Sequence, residues 1–252
     1  MTKIAGKVRI AAVGDLHFGR AEYGPPLRAL FGAVVEEADV LALCGDLTDT
    51  GEPEEARALA RALSTVSVPA VAVLGNHDYQ SNKVAEVSRI LCDAGIHVLD
   101  GSSYEVFGVG FAGVKGFAGG FGRGALGPWG EQIIKTFVQE ALNEALKLET
   151  ALARLRSERR VVLLHYSPIE GTVDGEPKEI YPYLGSSRLE EPLSRYPVDA
   201  VFHGHAHHGT PEGRTKTDVP VYNVSISLLQ RLAPEGRPFR LLELPVNGGP
   251  PD

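Results

Sequence analysis

The stretch that decides the fold is Ala70-Val71-Ala72-Val73-Leu74-Gly75-Asn76-His77-Asp78, an apolar run followed by a glycine and three polar residues. The apolar residues predict a buried strand, and the residues after them predict a turn at its carboxyl end. Asn offers a neutral oxygen to a metal, His gives or takes a proton near pH 7, and Asp orients either side chain. The stretch therefore predicts a strand that carries chemistry at its end.

The same arrangement, an apolar run followed by polar residues, recurs at four other places. These are Asp15-Leu16-His17, Gly45-Asp46-Leu47-Thr48-Asp49, His165 and Gly204-His205-Ala206-His207. The intervals of 31 positions from Asp15 to Asp46 and 30 from Asp46 to Asn76 each suit a strand, a crossover helix and the next strand. Two successive βαβ units would bring these residues to the edge of a sheet where ligands bind.

The rest of the hydrophobic pattern alternates between short buried runs and helical periodicity, which is typical of an α/β fold. We predict strands over 8–13, 40–44, 68–74, 96–99, 161–164, 198–202, 219–224 and 239–244, with a hairpin within 103–114. Helices are predicted through 27–35, from Pro53, over 81–94 and over 131–156. The Gly-rich run 116–124 contains two Phe and one Arg, and we interpret it as a flexible connection and a candidate lid.

Length and composition limit the class of protein. The 252 residues fit one domain, over 1–252, and a formal net charge of -7 argues against a broad nucleic-acid-binding face. The first seven residues are too short and polar for a signal peptide, and no apolar run approaches the roughly 20 residues that span a bilayer. We therefore expect a cytoplasmic protein without a membrane partner. Cys44 and Cys92 are interpreted as small buried hydrophobic residues.

The polar residues of the five blocks form a candidate metal-binding set. A single Asp at a strand end is usually a helix N-cap, but five such blocks at one edge are not explained by capping. Carboxylate, amide and imidazole ligands without thiolates suit Mn²⁺, iron or Zn²⁺ better than Ca²⁺, and suit Mg²⁺ moderately. The set is too large for one ion, and two ions about 3.5 to 4 Å apart with a bridging carboxylate would use all of it. Its members are Asp15, His17, Asp46, Asn76, His165, His205 and His207.

In order and spacing, the five blocks resemble those of the calcineurin-like metallophosphoesterases, over residues 8 to about 225. The resemblance implies a two-sheet β-sandwich core flanked by helices, in four α/β/β/α layers, with a dinuclear site at the strand ends. Carried over by position, one metal would be held by Asp15, His17, Asp46 and His207, and the other by Asp46, Asn76, His165 and His205. Asp46 would be the bridge.

Two details indicate which members of that family the chain resembles. Thr50 follows Asp49 where the Ser/Thr protein phosphatases have Arg, which argues against a close likeness to them. The run His165-Tyr166-Ser167-Pro168 resembles the bacterial and archaeal small phosphoesterases, which include cyclic-nucleotide phosphodiesterases.

The residues also suggest a mechanism. Water shared by two cations has a lowered pKa, so a metal-bridging hydroxide would attack phosphorus in line with the departing oxygen. His77, beside the ligand Asn76, is placed to protonate that oxygen as general acid, and Asp49 should hold its imidazole. Asp78 is expected to fix the loop. Lys115, directly before the Gly-rich run, and Arg123, within it, are candidate contacts for substrate phosphate.

We therefore expect a phosphoesterase that needs two divalent or trivalent metal ions, with Mn²⁺ or iron favoured and Zn²⁺ or Mg²⁺ as alternatives. Its partner would be a small phosphodiester or phosphomonoester. One alternative is a nuclease acting on DNA or RNA ends, which the acidic balance disfavours although a local basic cleft would permit it. The other is a catalytically silent metal-binding scaffold, which the complete set of ligands and His77 argues against. The sequence does not indicate the oligomeric state.

Overall fold

The structure, a computed structural model, describes residues 6–19 and 24–246. The first five residues, on which the expectation about a signal peptide partly rests, lie outside the described residues. Among the described helices, none is both long and apolar enough to cross a membrane.

Eleven strands and seven α-helices make up the regular structure of the described residues. The strands are β1 (Lys7–Val13), β2 (Val40–Cys44), β3 (Ala70–Val73), β4 (Ile96–Val98), β5 (Ser102–Val106), β6 (Val109–Gly113), β7 (Arg159–Leu163), β8 (Ala200–His203), β9 (Glu212–Arg214), β10 (Pro220–Asn223) and β11 (Arg240–Pro245). The helices are α1 (Gly24–Glu37), α2 (Pro53–Leu63), α3 (Val84–Asp93), α4 (Gln132–Arg154), α5 (Tyr181–Leu184), α6 (Glu190–Leu193) and α7 (Ile226–Leu232).

The strands form two mixed sheets. One has the order β11-β1-β2-β3-β4, in which β1 to β4 are parallel and β11 runs antiparallel to β1. The other has the order β5-β6-β7-β8-β10-β9, with β6, β7, β8 and β10 parallel and an antiparallel strand at each edge. The two predicted βαβ units are therefore confirmed as β1-α1-β2 and β2-α2-β3.

Side-chain alternation along the strands builds three apolar layers. In β1, Ala11 and Val13 pack towards α1 and α2, while Val8 and Ile10 pack between the two sheets. On the far side of the second sheet, α4 covers it through residues that include Leu148 and Leu152. Helix, sheet, sheet and helix thus follow one another, and the predicted two-sheet core flanked by helices is confirmed.

Three local predictions need correction. The helix predicted over 81–94 starts only at Val84, because Asn82 has a φ of 59°, which is not a helical conformation. The short edge strand β9 was not predicted, since its three residues, Glu212–Arg214, include no apolar side chain. Cys44 is buried as expected, but Cys92 is exposed because it lies on the solvent side of the last turn of α3.

The Gly-rich run is packed over its first half. Gly119 donates a main-chain hydrogen bond to Pro182 at 2.7 Å, and Gly120 donates one to Gly185 at 2.8 Å. Residues 118–121 are buried, whereas residues 122–124 are exposed. The packed half is therefore held against the α5 segment and does not form the flexible lid that the glycines suggested.

Phe111 tests the packing between the sheets, since it lies in β6 and is fully buried in the inter-sheet layer. We expect Phe111→Ala to lower the free energy of unfolding by about 3–5 kcal/mol, because a large buried ring leaves a cavity. Urea denaturation followed by circular dichroism measures this loss. Leu146→Ala, on the exposed face of α4, is the control and should change stability by less than about 0.5 kcal/mol. A loss for Phe111→Ala as small as that of the control would contradict a close-packed layer.

Candidate metal centre

The seven predicted ligands come from loops at the carboxyl ends of five strands. The first sheet contributes Asp15 and His17 after β1, Asp46 after β2 and Asn76 after β3. The second sheet contributes His165 after β7, and His205 and His207 after β8. Because parallel strands present their carboxyl ends at one edge, residues up to 192 positions apart meet there, as Asp15 and His207 do.

The donor atoms of the predicted ligands form two clusters, and a third group joins His17 to Asp49 and His77. In one, Asp15, His17 and His207 each offer an atom within 4.8 Å of the others; in the second, Asp46, His165 and His205 do so. Two ligands bound at about 2.0–2.2 Å to one cation lie no more than about 4.4 Å apart. The separations of 3.1 Å between Asp15 Oδ1 and His207 Nε2, and of 3.3 Å between Asp46 Oδ1 and His165 Nε2, fall within that limit.

One contact beside the second cluster fits a bound cation. His165 donates its Nδ1 hydrogen to the Cys44 carbonyl at 3.1 Å, so its Nε2 carries a lone pair when the ring is neutral. That Nε2 faces Oδ1 of Asn76, another acceptor, at 2.9 Å. Two lone pairs at this distance repel unless a cation lies beside both. The donor set therefore fits a metal ion.

The second ring nitrogens of two other ligands are also held. His205 donates from Nε2 to the Tyr183 carbonyl at 3.1 Å, which leaves Nδ1 for a cation. His17 Nδ1 lies 3.5 Å from Asp49 Oδ1, which turns its Nε2 towards Asp46. Such outer partners set the tautomer and the orientation of metal-binding imidazoles. Tyr183 was not predicted, because a main-chain carbonyl leaves no signal in the residue type.

Burial and mutual charge control the protonation of the carboxylates. Burial raises the pKa of Asp46 well above its usual range, and the neighbouring charge of Asp15 raises it further. Burial would also raise the pKa of Asp15, but the hydrogen bond and the charge of His207 outweigh it, so this pKa is lowered. Two carboxylates buried side by side need positive charge, and a cation supplies it.

The imidazoles of the second cluster are held neutral. Burial lowers the pKa of His165, and burial together with His165 lowers the pKa of His205 to about 3. For His207, burial acts in the same direction, but its bond to Asp15 prevails and the pKa is raised. Neutral imidazoles have the lone pair that metal binding needs.

The backbone is strained where ligands leave the strands. Asp15, Asp46 and His205 have φ values of 59°, 48° and 70°, and His17 has 43°. Positive φ is uncommon for residues other than glycine and costs free energy, so such residues cluster at functional sites. Four of the seven proposed ligands therefore have a backbone conformation that costs free energy.

Two glycines of the motifs make room for the ligands. A Cβ on Gly45, which also has a φ of +81°, would collide with the His165 ring. A Cβ on Gly75 would collide with the Asp46 carboxylate. Glycine therefore precedes Asp46 and Asn76 because the neighbouring loop approaches the backbone too closely for a side chain.

Asp49 and His77 meet through the main chain. The carbonyl of Asp49 accepts a hydrogen bond from His77 Nδ1 at 2.6 Å, while the Asp49 carboxylate lies near His17. The Asp49 carbonyl thus holds the His77 ring, whereas the Asp49 carboxylate lies near a different ring, that of His17. His77 Nε2 points to Asp46, 3.9 Å from Oδ2.

Asp78 ties the second and third strand-end loops together. Its buried carboxylate accepts hydrogen bonds from the main-chain N–H of Thr48 and Gly75, both at 2.8 Å, and of Leu47 at 3.2 Å. Burial raises the pKa of Asp78 and these donors oppose the rise. Asp78 therefore fixes the loop that presents Asp46 and Asn76.

A second polar network joins the ligand loops of the second sheet. Buried His203 bonds to Gly204 O and to Thr172 Oγ1, both at 2.8 Å, and Thr172 Oγ1 also lies 2.8 Å from Ser167 Oγ. No role was predicted for His203 or Thr172. The position of His203 within the motif block was the one available signal.

Comparison with known proteins agrees with this geometry. A family model described as calcineurin-like phosphoesterase matches residues 8–209. The chain belongs to the calcineurin-like phosphoesterase family. The family binds divalent metals, and the carboxylate and imidazole clusters for doing so are present here. No curated protein sequence matches the chain.

Several solved structures share the fold at low sequence identity. The phosphopantetheinyl hydrolase of Mycobacterium tuberculosis has a TM-score of 0.70 at 15% identity, over 95% of this chain and 97% of that chain. The protein TT1561 of Thermus thermophilus has a TM-score of 0.56 at 17% identity, over 95% and 99%. GAP50, the anchor in the inner membrane complex of Plasmodium, has a TM-score of 0.53 at 16% identity, over 88% and 72%.

Replacing Asp78 tests the loop-holding role. We expect Asp78→Ala to lower the free energy of unfolding by at least about 3 kcal/mol, because three buried N–H groups lose their acceptor. We also expect weaker Mn²⁺ binding, since the loops that carry Asp46 and Asn76 separate. Urea denaturation and calorimetric titration measure the two effects. Asp93→Ala, an exposed position at the end of α3, is the control; similar results for both variants would contradict the role.

Proposed function

We propose that this protein is a dinuclear-metal-dependent phosphoesterase that hydrolyses a small phosphodiester or phosphomonoester. Attack would be in line, by hydroxide, with His77 as the general acid. The observation that carries the proposal is the position of Asp46 between the two clusters. Its Oδ1 lies 3.3 Å from His165 Nε2, and its Oδ2 lies 3.9 Å from His17 Nε2. One carboxylate thus faces both clusters, as a bridging ligand must.

The proposed ligands form two sets, one for each cation, and Asp46 belongs to both sets. Asp15, His17 and His207 would hold one with Asp46, and Asn76, His165 and His205 would hold the other with Asp46. When bound, two such cations lower the pKa of water and polarise the phosphoryl oxygens. The mixture of carboxylate, amide and imidazole favours Mn²⁺ or iron, with Zn²⁺ or Mg²⁺ as alternatives.

His77 has the geometry of a general acid. Its Nδ1–H is committed to the Asp49 carbonyl at 2.6 Å, so the ring can transfer a proton only from Nε2. The side chain is 29% exposed, against 4% for His17, and so it is open to a bound ester. A proton held at Nε2 is therefore available to the departing oxygen while the ring stays fixed.

The structural neighbours suggest compounds to test and do not identify the substrate. The phosphopantetheinyl hydrolase shares the fold at 15% identity, which supports including phosphopantetheinyl phosphodiesters among the test substrates. GAP50 is described as an anchor, so the fold alone does not imply catalysis. A nuclease and a metal-binding scaffold remain the competing functions, and the experiment below separates them.

The proposal is tested with the purified protein after chelation and reloading with Mn²⁺. We expect metal-dependent hydrolysis of bis-p-nitrophenyl phosphate or p-nitrophenyl phosphate, and the preferred ester distinguishes a phosphodiesterase from a phosphatase. In Asp46→Asn, bound metal should fall below two ions per chain. Turnover should fall by more than about 100-fold. Loss of a residue that only hydrogen-bonds to a metal ligand costs up to about 100-fold, and Asp46 would be a ligand itself. Asp93→Asn, an exposed position, is the matched control.

Three results would contradict the proposal. Turnover in Asp46→Asn equal to that of the unaltered protein would exclude the dinuclear mechanism. Two bound metals without turnover of any tested ester would favour the scaffold. Cleavage of single-stranded DNA without hydrolysis of the small esters would favour the nuclease.

The acid role of His77 has a separate signature. We expect His77→Ala to retain bound metal and to lose about 10²–10⁴-fold in kcat for esters with poor leaving groups, because general acid catalysis is lost. Esters with good leaving groups should lose much less, since their oxygen departs without a proton. His97→Ala, on the exposed side of β4, is the control. Equal losses for the two classes of ester would remove His77 from this role.

A further inference from the structure

The loops that follow β6 and β7 meet at a single peptide group. The two strands are parallel neighbours, so both loops leave the same edge of the second sheet. The main-chain carbonyl of Lys115, in the loop after β6, accepts hydrogen bonds from the N–H groups of His165 at 3.0 Å and Tyr166 at 3.1 Å. This carbonyl therefore holds the backbone of a proposed metal ligand.

The other end of the same peptide group is held by a helix. Its N–H belongs to Gly116 and points away from His165, because the C=O and N–H of a planar trans peptide point in opposite directions. This N–H donates to Oε2 of Glu144, on α4, at 2.8 Å. One peptide group thus connects the Glu144 carboxylate to the main chain of His165.

The backbone of Gly116 does not fix the orientation of this peptide by itself. Its φ is 78°, and glycine adopts positive and negative φ about equally readily. Rotation about ψ of Lys115 and φ of Gly116 would turn the carbonyl away from His165. The orientation therefore depends on the hydrogen bonds at the two ends of the peptide.

Glu144 is a buried carboxylate whose two oxygens have different partners. It is 1% exposed. Oε1 accepts a hydrogen bond from Lys147 Nζ at 2.8 Å, and this lysine also binds Asp100 at 3.0 Å. The Lys147 side chain is 42% exposed, so a pair with it gives no reason to bury a carboxylate, since burying a charge costs free energy. The buried position of Glu144 is instead the one from which Oε2 reaches the Gly116 N–H.

The Lys115 carbonyl also acts on a second proposed ligand through Tyr166. The centroid of the Tyr166 ring lies 4.5 Å from that of His205 and 5.4 Å from that of His165. If the carbonyl turned away, the main chain of Tyr166 would lose its acceptor, and the ring that packs against both imidazoles would be less firmly held. Both imidazoles belong to the set proposed for one cation.

We propose that Glu144 is a positioning residue for the metal centre. It fixes the orientation of the Lys115–Gly116 peptide, whose carbonyl holds the main chain of His165 and Tyr166. The hydrogen bonds themselves are independent of any reaction, whereas the part of His165 as a metal ligand rests on the proposed function.

Amide hydrogen exchange tests the contact without turnover, by NMR on the full chain with Zn²⁺, which has a filled d shell and is diamagnetic. Glu144→Met fills the space of the side chain but offers no oxygen, so we expect the His165 and Tyr166 amides to exchange at least about 10-fold faster. The Leu164 amide donates to a carbonyl of β8 at 2.9 Å and should change less than about 2-fold. An equal increase at all three amides would indicate general destabilisation and overturn the proposal.

Two further variants separate the hydrogen bond from the charge. Glu144→Gln removes the charge but keeps a carbonyl oxygen for the Gly116 N–H, so the exchange rates should stay within about 2-fold of those of the unaltered protein. Glu144→Asp keeps the charge on a side chain one methylene shorter and should lose protection as Glu144→Met does, which also keeps the test decisive if Glu144→Met fails to fold. Protection lost in Glu144→Gln and kept in Glu144→Asp would assign the effect to charge and overturn the proposal.

The matched control lies on the same helix. Glu149 binds Arg195 at 2.8 Å through its carboxylate, away from the Lys115–Gly116 peptide. We expect Glu149→Met to leave the exchange of the His165 and Tyr166 amides unchanged. A loss of protection as large as that in Glu144→Met would contradict a specific contact.

Metal binding tests the connection to the site. In calorimetric titration, we expect Mn²⁺ to bind about 10-fold more weakly to Glu144→Met, the lower end of the cost of losing a partner outside the ligands. Glu144→Gln and Glu149→Met should bind it as the unaltered protein does. Unchanged Mn²⁺ affinity in Glu144→Met, with faster amide exchange, would overturn the positioning role. If the unaltered protein bound no Mn²⁺, the proposed function would fail, and the exchange rates would still decide whether Glu144 holds the backbone of His165.

Discussion

The site depends on the confinement of two buried carboxylates, Asp15 and Asp46, each 1% exposed, at one edge of the fold. Each raises the free energy of the other's charged form, and water is too distant to screen them. Positive charge must therefore be supplied locally. Neutral imidazoles beside the carboxylates complete a donor set that fits a cation. Asp78 holds the loops that carry Asp46 and Asn76, and several of the proposed ligands have strained backbone.

The geometry within each of the two clusters is set by how the sheets pack, because each cluster takes residues from both sheets. Asp15, Asp46 and Asn76 leave the first sheet, and His165, His205 and His207 leave the second. The inter-sheet layer around Phe111 therefore does more than stabilise the fold, because it fixes the spacing between halves of the site. Asp46 stands at the junction, where its two oxygens face donors of different sheets.

The candidate metal ligands and the exposed loops are different parts of the molecule. The ligands lie on short loops that are buried and tightly hydrogen-bonded, as reaction chemistry common to a family requires. Residues 122–124 are exposed, and exposed loops commonly carry the residues that select a ligand. This is why family membership states the class of reaction and leaves the ester open.

The sequence by itself predicted most of the element types, the two βαβ units and the candidate ligands that the structure brings together, because periodicity and short motifs are local properties of the chain. Only the tertiary structure decided that Asp49 holds His77 through its carbonyl, that the Gly-rich run is packed, that Cys92 is exposed and that Lys115 lies among three rings. Each of these depends on which side of a loop or helix meets residues far away in sequence. Residue types do not indicate such long-range contacts, because the packing of the two sheets brings the partners together.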